Sequence, residues 1–198
     1  MSMIQSETNG TMHTIHQRSS VRNYASHRLD HGTVRTLLEA ATRAPTAIHR
    51  EPWEFVIVQD ASTLKSLSNH CKTFFLEEAR HKHLDRGGHL IEHFAQPAFN
   101  IFYNAGTLII ICADAETPFA TADCWLAAEN LMLAAFSMGL GSCVIGSAVS
   151  GLNTTGIKTE LGIPRESTAI VPIIVGVPDG ETPPTPRKQP RILSWKSP

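Results

Sequence analysis

The chain has 198 residues, 42% of them hydrophobic and 18% charged, with a formal net charge of −1. That composition fits one globular domain with its own core and excludes a disordered chain. A nearly neutral balance leaves no global field for nucleic acid or an anionic membrane, so neither is expected as a partner.

Residues 1–11 are polar and lack a basic region followed by an apolar one, so no secretory signal is expected. The first informative segment is Arg18-Ser19-Ser20-Val21-Arg22. In an extended backbone alternate side chains share a face, so Arg18, Ser20 and Arg22 point the same way. Forked guanidiniums with a hydroxyl between them suit a phosphate. From spacing alone a solvated surface turn is the commoner outcome for such a cluster.

Asp30 caps a helix expected to run to about Arg43, with Val34, Leu37, Leu38 and Ala41 on one face. Pro45 ends it, and the apolar, β-branched run Trp53–Val58 reads as a strand. Residues 61–80 read as one or two helices. Residues 81–96 are rich in histidine and glycine (His81, His83, Gly87, Gly88, His89, His93), which suggests a mobile lid. His89 and His93 would share a helix face, but no carboxylate or cysteine joins them at ligand spacing, so no metal site is expected.

Thr107–Ala113 is a continuous apolar run and the best central strand. Thr117-Pro118 then opens a long helix, threonine at N-cap and proline at N1, that ends at Met138-Gly139. It is apolar nearly all round, interrupted by Asp123, Glu129 and Asn130. Such a helix must be buried on every side, within the chain or under a second subunit, so a homodimer is expected. Gly139-Leu140-Gly141 follows a helix and leads into a strand, with the next glycine at 146. A dinucleotide loop has the opposite order, so a helix-ending turn is expected. A strand at 142–145, a helix at about 153–161 and a last strand at 169–177 follow. From Pro178 onward prolines recur (Pro183, Pro184, Pro186, Pro190, Pro198), giving an extended tail with Arg187-Lys188 and then Ile192, Leu193 and Trp195.

The four cysteines, Cys71, Cys112, Cys124 and Cys143, are scattered, so neither a disulfide framework nor a zinc site is expected, and a cytoplasmic setting fits. No nucleophile elbow, Walker loop or H-E-x-x-H is present.

Taken in order, these segments resemble the FMN-dependent nitroreductase family. Arg18-Ser19-Ser20-Val21-Arg22-Asn23-Tyr24 is similar to its R-x-S-x-R-x-[FY] element, and Ala44-Pro45-Thr46-Ala47-Ile48-His49-Arg50-Glu51-Pro52-Trp53 to its A-P-S-[SA]-x-[NH]-x-Q-P-W element. Asn104-Ala105-Gly106 resembles its N-A-P strand entry, and Ala128-Glu129-Asn130-Leu131 with Gly139-Leu140-Gly141-Ser142-Cys143 its A-x-N-L…G-L-G-[ST]-C core. Pro186-Arg187-Lys188 resembles its terminal basic element.

The resemblance implies an α+β three-layer sandwich on a mixed, mainly antiparallel sheet, with an extended C-terminal arm reaching the partner subunit. It implies a single domain over 1–198 and a homodimer with FMN at the subunit interface. Arg18, Ser20 and Arg22, with Ser19 beside them and with Arg187 and Lys188, would hold the phosphate and ribityl end. Pro45, Thr46, Ala47 and His49 would border the ring from the other subunit, and Ile145, Gly146 and Ser147 would line it near its reactive edge. The implied activity is ping-pong hydride transfer from NAD(P)H to a nitroaromatic, quinone or similar electron-poor small molecule. No protein nucleophile is required, so no catalytic residue is named. Alternatives are a flavin enzyme of the same fold with dehalogenase, dehydrogenase or flavin-breakdown chemistry, and a non-catalytic flavin-binding protein. Three positions depart from the family pattern: Glu51 stands for glutamine, Gly106 for proline, and Val144-Ile145-Gly146 lacks the acidic residue of longer homologues.

Overall fold

In chain order the elements are helix α1 (Gly10–Gln17), α2 (His31–Ala41), strand β1 (Trp53–Val58), α3 (Ala61–His81), α4 (His89–Ala95), β2 (Thr107–Asp114), α5 (Ala120–Ser137), β3 (Gly141–Val144), α6 (Val149–Leu152), α7 (Thr155–Leu161) and β4 (Ser167–Gly176). The computed structural model describes residues 10–81, 89–114 and 118–197. The four strands form one sheet in the order β1-β2-β4-β3, with every neighbouring pair antiparallel.

The sheet is central because β2 is buried at every position from Thr107 to Ala113. Successive strand side chains face opposite ways, so β2 feeds two cores at once. Leu108, Ile110 and Cys112 pack with Leu64, Leu67 and Leu152 of α3 and α6. Ile109, Ile111 and Ala113 pack with Leu37 of α2 and with Cys124, Ala128 and Leu131 of α5. Helices therefore cover both faces, and the expected three-layer sandwich forms. A β-bulge modifies the pattern in β4. Ile111 lies opposite Val171 but Cys112 lies opposite Ala169, so Ile170 is the extra residue. Ala169 and Val171 consequently join different cores, although a regular strand would put them on one face.

Local signals set the helix starts. The Asp30 carboxylate accepts from the Thr33 N–H at 2.9 Å and caps α2 as expected. Asp60 accepts from the N–H and hydroxyl of Thr63 ahead of α3, and hydroxyl and amide donors from Ser62 and Thr63 hold its carboxyl down at about 2. Thr117-Pro118 does not open α5 as expected. The helix begins at Ala120, Pro118 and Phe119 form a turn, and the Phe119 carbonyl accepts the Asp123 N–H; Thr117 lies outside the described residues. The helix expected over about 153–161 forms as α7, the short α6 just before it was not expected, and Gly139-Leu140 is the helix-ending turn expected of it. Of the lid expected over 81–96, residues 82–88 lie outside the described residues and 89–95 form α4. Among the described residues no helix is long and apolar enough to cross a membrane.

Gly106, the departure from the family's proline, has a packing reason. A Cβ there would lie 2.4 Å from the His27 carbonyl oxygen, so the strand entry and the 26–28 loop touch through bare backbone. We expect Gly106→Ala to cost about 1–3 kcal/mol, as overpacking does. A urea midpoint indistinguishable from wild type would show that the two loops are free to separate.

Candidate functional site

The Arg18–Arg22 segment is extended along the free edge of β3. Ser20 forms a parallel bridge with Ser142, and the Val21 N–H donates to the Ser142 carbonyl at 3.1 Å. This parallel contact is the mixed component of an otherwise antiparallel sheet. The close approach depends on Gly141, where a Cβ would meet the Val21 side chain at 2.7 Å. Ser19 and Val21 are buried, whereas Arg18 and Ser20 are half-buried and Arg22 is exposed, which is the alternation expected of the segment. The chain then turns along the end of β4: the Tyr24 hydroxyl donates to the Val21 carbonyl at 2.8 Å, and the Ala25 N–H to the Val177 carbonyl at 3.0 Å.

Its two arginines face different clefts. Arg22 shares a cleft of about 150 Å³ with Phe94, Tyr103, Cys143 and residues 144–147. Its guanidinium lies 6.0 Å from the centre of the Tyr103 ring, within cation–π range. Gly146 is exposed in that cleft and has open space where a Cβ would stand, so a flat ligand can lie directly against its backbone. Arg18 and Ser19 line a neighbouring cleft of about 250 Å³ with Leu140, Ser142 and Pro178. Arg18 also meets Glu129 of α5 at 3.7 Å, a half-exposed pair worth about 0–1 kcal/mol.

Pro45–His49 line neither cleft in the single chain, and neither do Arg187 and Lys188, which are exposed in the tail. Residues 46–51 are strained. Ile48, His49 and Glu51 have φ of 49°, 52° and 46° without being glycine, at a cost of roughly 1–3 kcal/mol each. The loop reaches the body through the Ala47 N–H, which donates to the buried Asp123 carboxylate. Asp123, Glu129 and Tyr103 are contacts that sequence reading passed over. Asp123 and Glu129 appeared only as interruptions of an apolar helix, and Tyr103 meets Arg22 only in three dimensions. A carboxylate on a helix that must be buried was the available signal for Asp123.

The nitroreductase family profile matches residues 15–177, most of the chain. The chain belongs to the nitroreductase family. A solved nitroreductase from Bacteroides fragilis, carrying bound FMN, superposes with a TM-score of 0.81 at 27% identity, over 96% of this chain and all of that one. A candidate NADH dehydrogenase/NAD(P)H nitroreductase of Archaeoglobus fulgidus is 27% identical over 172 residues, covering 84% of each chain. An iodotyrosine deiodinase of Thermotoga neapolitana is 25% identical over 181 residues, covering 87% of this chain and 91% of its own. Nitroreductase-family relatives thus span more than one chemistry on this fold.

Cys143 stands at the Arg22 cleft and is 2% exposed. Burial raises its thiol pKa and the Arg22 charge opposes the rise, while burial pushes Cys71, Cys112 and Cys124 up to about 12. A raised pKa favours the protonated thiol, so at pH 8 all four should be unreactive toward an aromatic disulfide reagent until the chain unfolds. Labelling of any of them at the free-cysteine rate in native buffer would contradict this.

Proposed function

We propose that this chain is an FMN-dependent NAD(P)H oxidoreductase that reduces nitroaromatics, quinones or similar electron-poor small molecules. The observation that carries the reading is the meeting of the Arg22 guanidinium with the open backbone of Gly146, beside Ser147, in one cleft. Charge for an anion and bare amides for a ring edge stand together there. The FMN-bound Bacteroides structure supports the cofactor, and the name of the Archaeoglobus relative supports the electron donor.

The chemistry that a bound FMN supplies is hydride transfer between NAD(P)H and the acceptor. In this reading the phosphate and ribityl end lie across the two neighbouring clefts, held by charge-assisted bonds to Arg22 from one and to Arg18 from the other, with Ser19 and Ser20 between them. Ile145, whose N–H is already donated to the Pro172 carbonyl, presents apolar surface to the ring, and Gly146 and Ser147 present backbone N–H groups. Phe94 and Tyr103 wall the cleft and exclude water from it.

One chain does not complete the site, because 150 Å³ is well below the roughly 300–1,000 Å³ of pockets that enclose a small ligand. The missing wall is supplied by Pro45, Thr46, Ala47 and His49 of a second subunit. Trp125 and Leu126 on α5 are 47% and 46% exposed and offer that subunit an apolar seat. The arm over 178–197, with Ile192, Leu193 and Trp195 exposed, lies across the partner in this reading and brings Arg187 and Lys188 to the phosphate. The deiodinase relative favours reductive dehalogenation as a second reading of the same site.

Purified protein should show a flavin spectrum, natively or after FMN is added, and anaerobic NADH or NADPH should bleach it. A colourless protein that takes up no FMN would overturn the reading. Reoxidation by menadione or nitrofurazone, against reoxidation by iodotyrosine, separates the two chemistries. Arg22→Ala should weaken FMN binding about tenfold or more, the loss typical of a bond to a charged group, as read by flavin fluorescence. In sedimentation, Leu126→Asp should convert a dimer to a monomer that has lost its FMN; a wild-type monomer at micromolar concentration would sink the shared site.

A further inference from the structure

The loop over residues 46–51 holds an unfavourable conformation, and its own bonds do not fix it to the body. Ile48, His49 and Glu51 all lie in the left-handed region. The Arg50 N–H donates to the Ala47 carbonyl, and the Glu51 N–H to the Thr46 hydroxyl, both within the loop. Among the described residues one donor ties this loop to another element. The Ala47 N–H donates to the Asp123 carboxylate, 3.2 Å from Oδ1 and 3.3 Å from Oδ2.

Asp123 lies in the first turn of α5 and is 4% exposed. Burying a carboxylate is costly unless its charge is met. The amino end of α5 supplies favourable potential, and the Ala47 N–H supplies a directed donor. An apolar side chain of similar size would serve packing at this point at least as well. What the carboxylate adds is an acceptor aimed at the loop. Six residues further along the same helix Glu129 meets Arg18, so α5 touches both segments assigned to FMN.

We propose that Asp123 is the positioning residue of the flavin-bordering loop, fixing Ala47 and through it the left-handed turn at Ile48 and His49 that carries His49 to the ring of the partner subunit's site. The proposal rests on the FMN reading above. Asp123 touches neither cofactor nor substrate and acts through Ala47 alone.

The bond can be removed from either end. Asp123→Leu removes the acceptor, and Asp123→Asn keeps one acceptor oxygen without the charge. Ala47→Pro removes the donor and leaves α5 untouched. Thr46 is already extended (φ −129°, ψ 150°), as the residue before a proline must be, and Ala47 opens a 3-10 turn that admits proline's φ. On the full dimer, FMN affinity is read by fluorescence quenching and the Arg50 and Glu51 amides by hydrogen exchange.

We expect Asp123→Leu and Ala47→Pro each to weaken FMN binding about tenfold and to speed loop exchange by a similar factor, with β2 protection unchanged. Asp123→Asn should fall between them and wild type, and the Asp123→Leu/Ala47→Pro double variant should be no worse than either single one, because both remove the same bond. Wild-type affinity and exchange in Ala47→Pro, or fully additive losses in the double variant, would overturn the proposal. If Asp123→Leu does not fold, Ala47→Pro and Asp123→Asn decide it. If the wild type itself takes up no FMN, the functional reading fails, and so does the flavin-positioning role; loop exchange then still tells whether Asp123 holds Ala47.

Discussion

Neither face of β2 can meet water, because its side chains from Thr107 to Ala113 are all buried and alternate between two layers. The arrangement of the rest follows from that constraint. Helices α2 and α5 must cover one face and α3 and α6 the other, so the strand connections run over both sides of the sheet. The loops at the ends of those connections become the places where functional groups collect. Residues 145–147 leave the end of β3, and Tyr103 precedes the entry to β2. Arg22 is drawn beside them because the N-terminal segment pairs with the free edge of β3.

Helix α5 carries a second consequence. Its buried face mixes small residues, with Ala127, Ala128 and Ala135 fully covered, with the larger Leu131 and Met132. Its opposite side keeps Trp125 and Leu126 half in water, with Glu129 on the same side, while Asp123 is buried. One helix therefore packs the core, presents an apolar outer surface and touches two segments that the functional reading assigns to FMN. The strained 46–51 loop belongs to the same system. Left-handed non-glycine residues persist only where surrounding contacts hold them, and among the described residues the hydrogen bond from this loop to another element goes to a buried carboxylate.

Several elements were legible from local patterns. The capping by Asp30, the apolar runs of β1, β2 and β4, and the turn at Gly139-Leu140 all express preferences confined to a few neighbouring residues. The start of α5 was not legible. Threonine and proline at 117–118 match a cap, but the helix begins at Ala120, with the Phe119 carbonyl accepting its first bond. The bulge at Ile170 was equally invisible, since it is defined only by the partner strand. The alternation of Arg18, Ser20 and Arg22 was read correctly, yet the two guanidiniums face separate clefts, Arg22 beside Tyr103 and Arg18 beside Glu129, two neighbours far off in sequence.

The order of short motifs along the chain determined the family, and the unbroken hydrophobicity of β2 determined that helices would cover both faces. Those properties are carried by residue type and spacing, which a sequence displays directly. Tertiary structure alone decided which distant groups meet. Arg22 reaches Gly146 across more than a hundred residues of chain, Asp123 reaches Ala47 across 76, and Gly106 abuts His27 with no room for a Cβ. Such contacts depend on how the strands stack and how closely backbones approach, and no local preference encodes either.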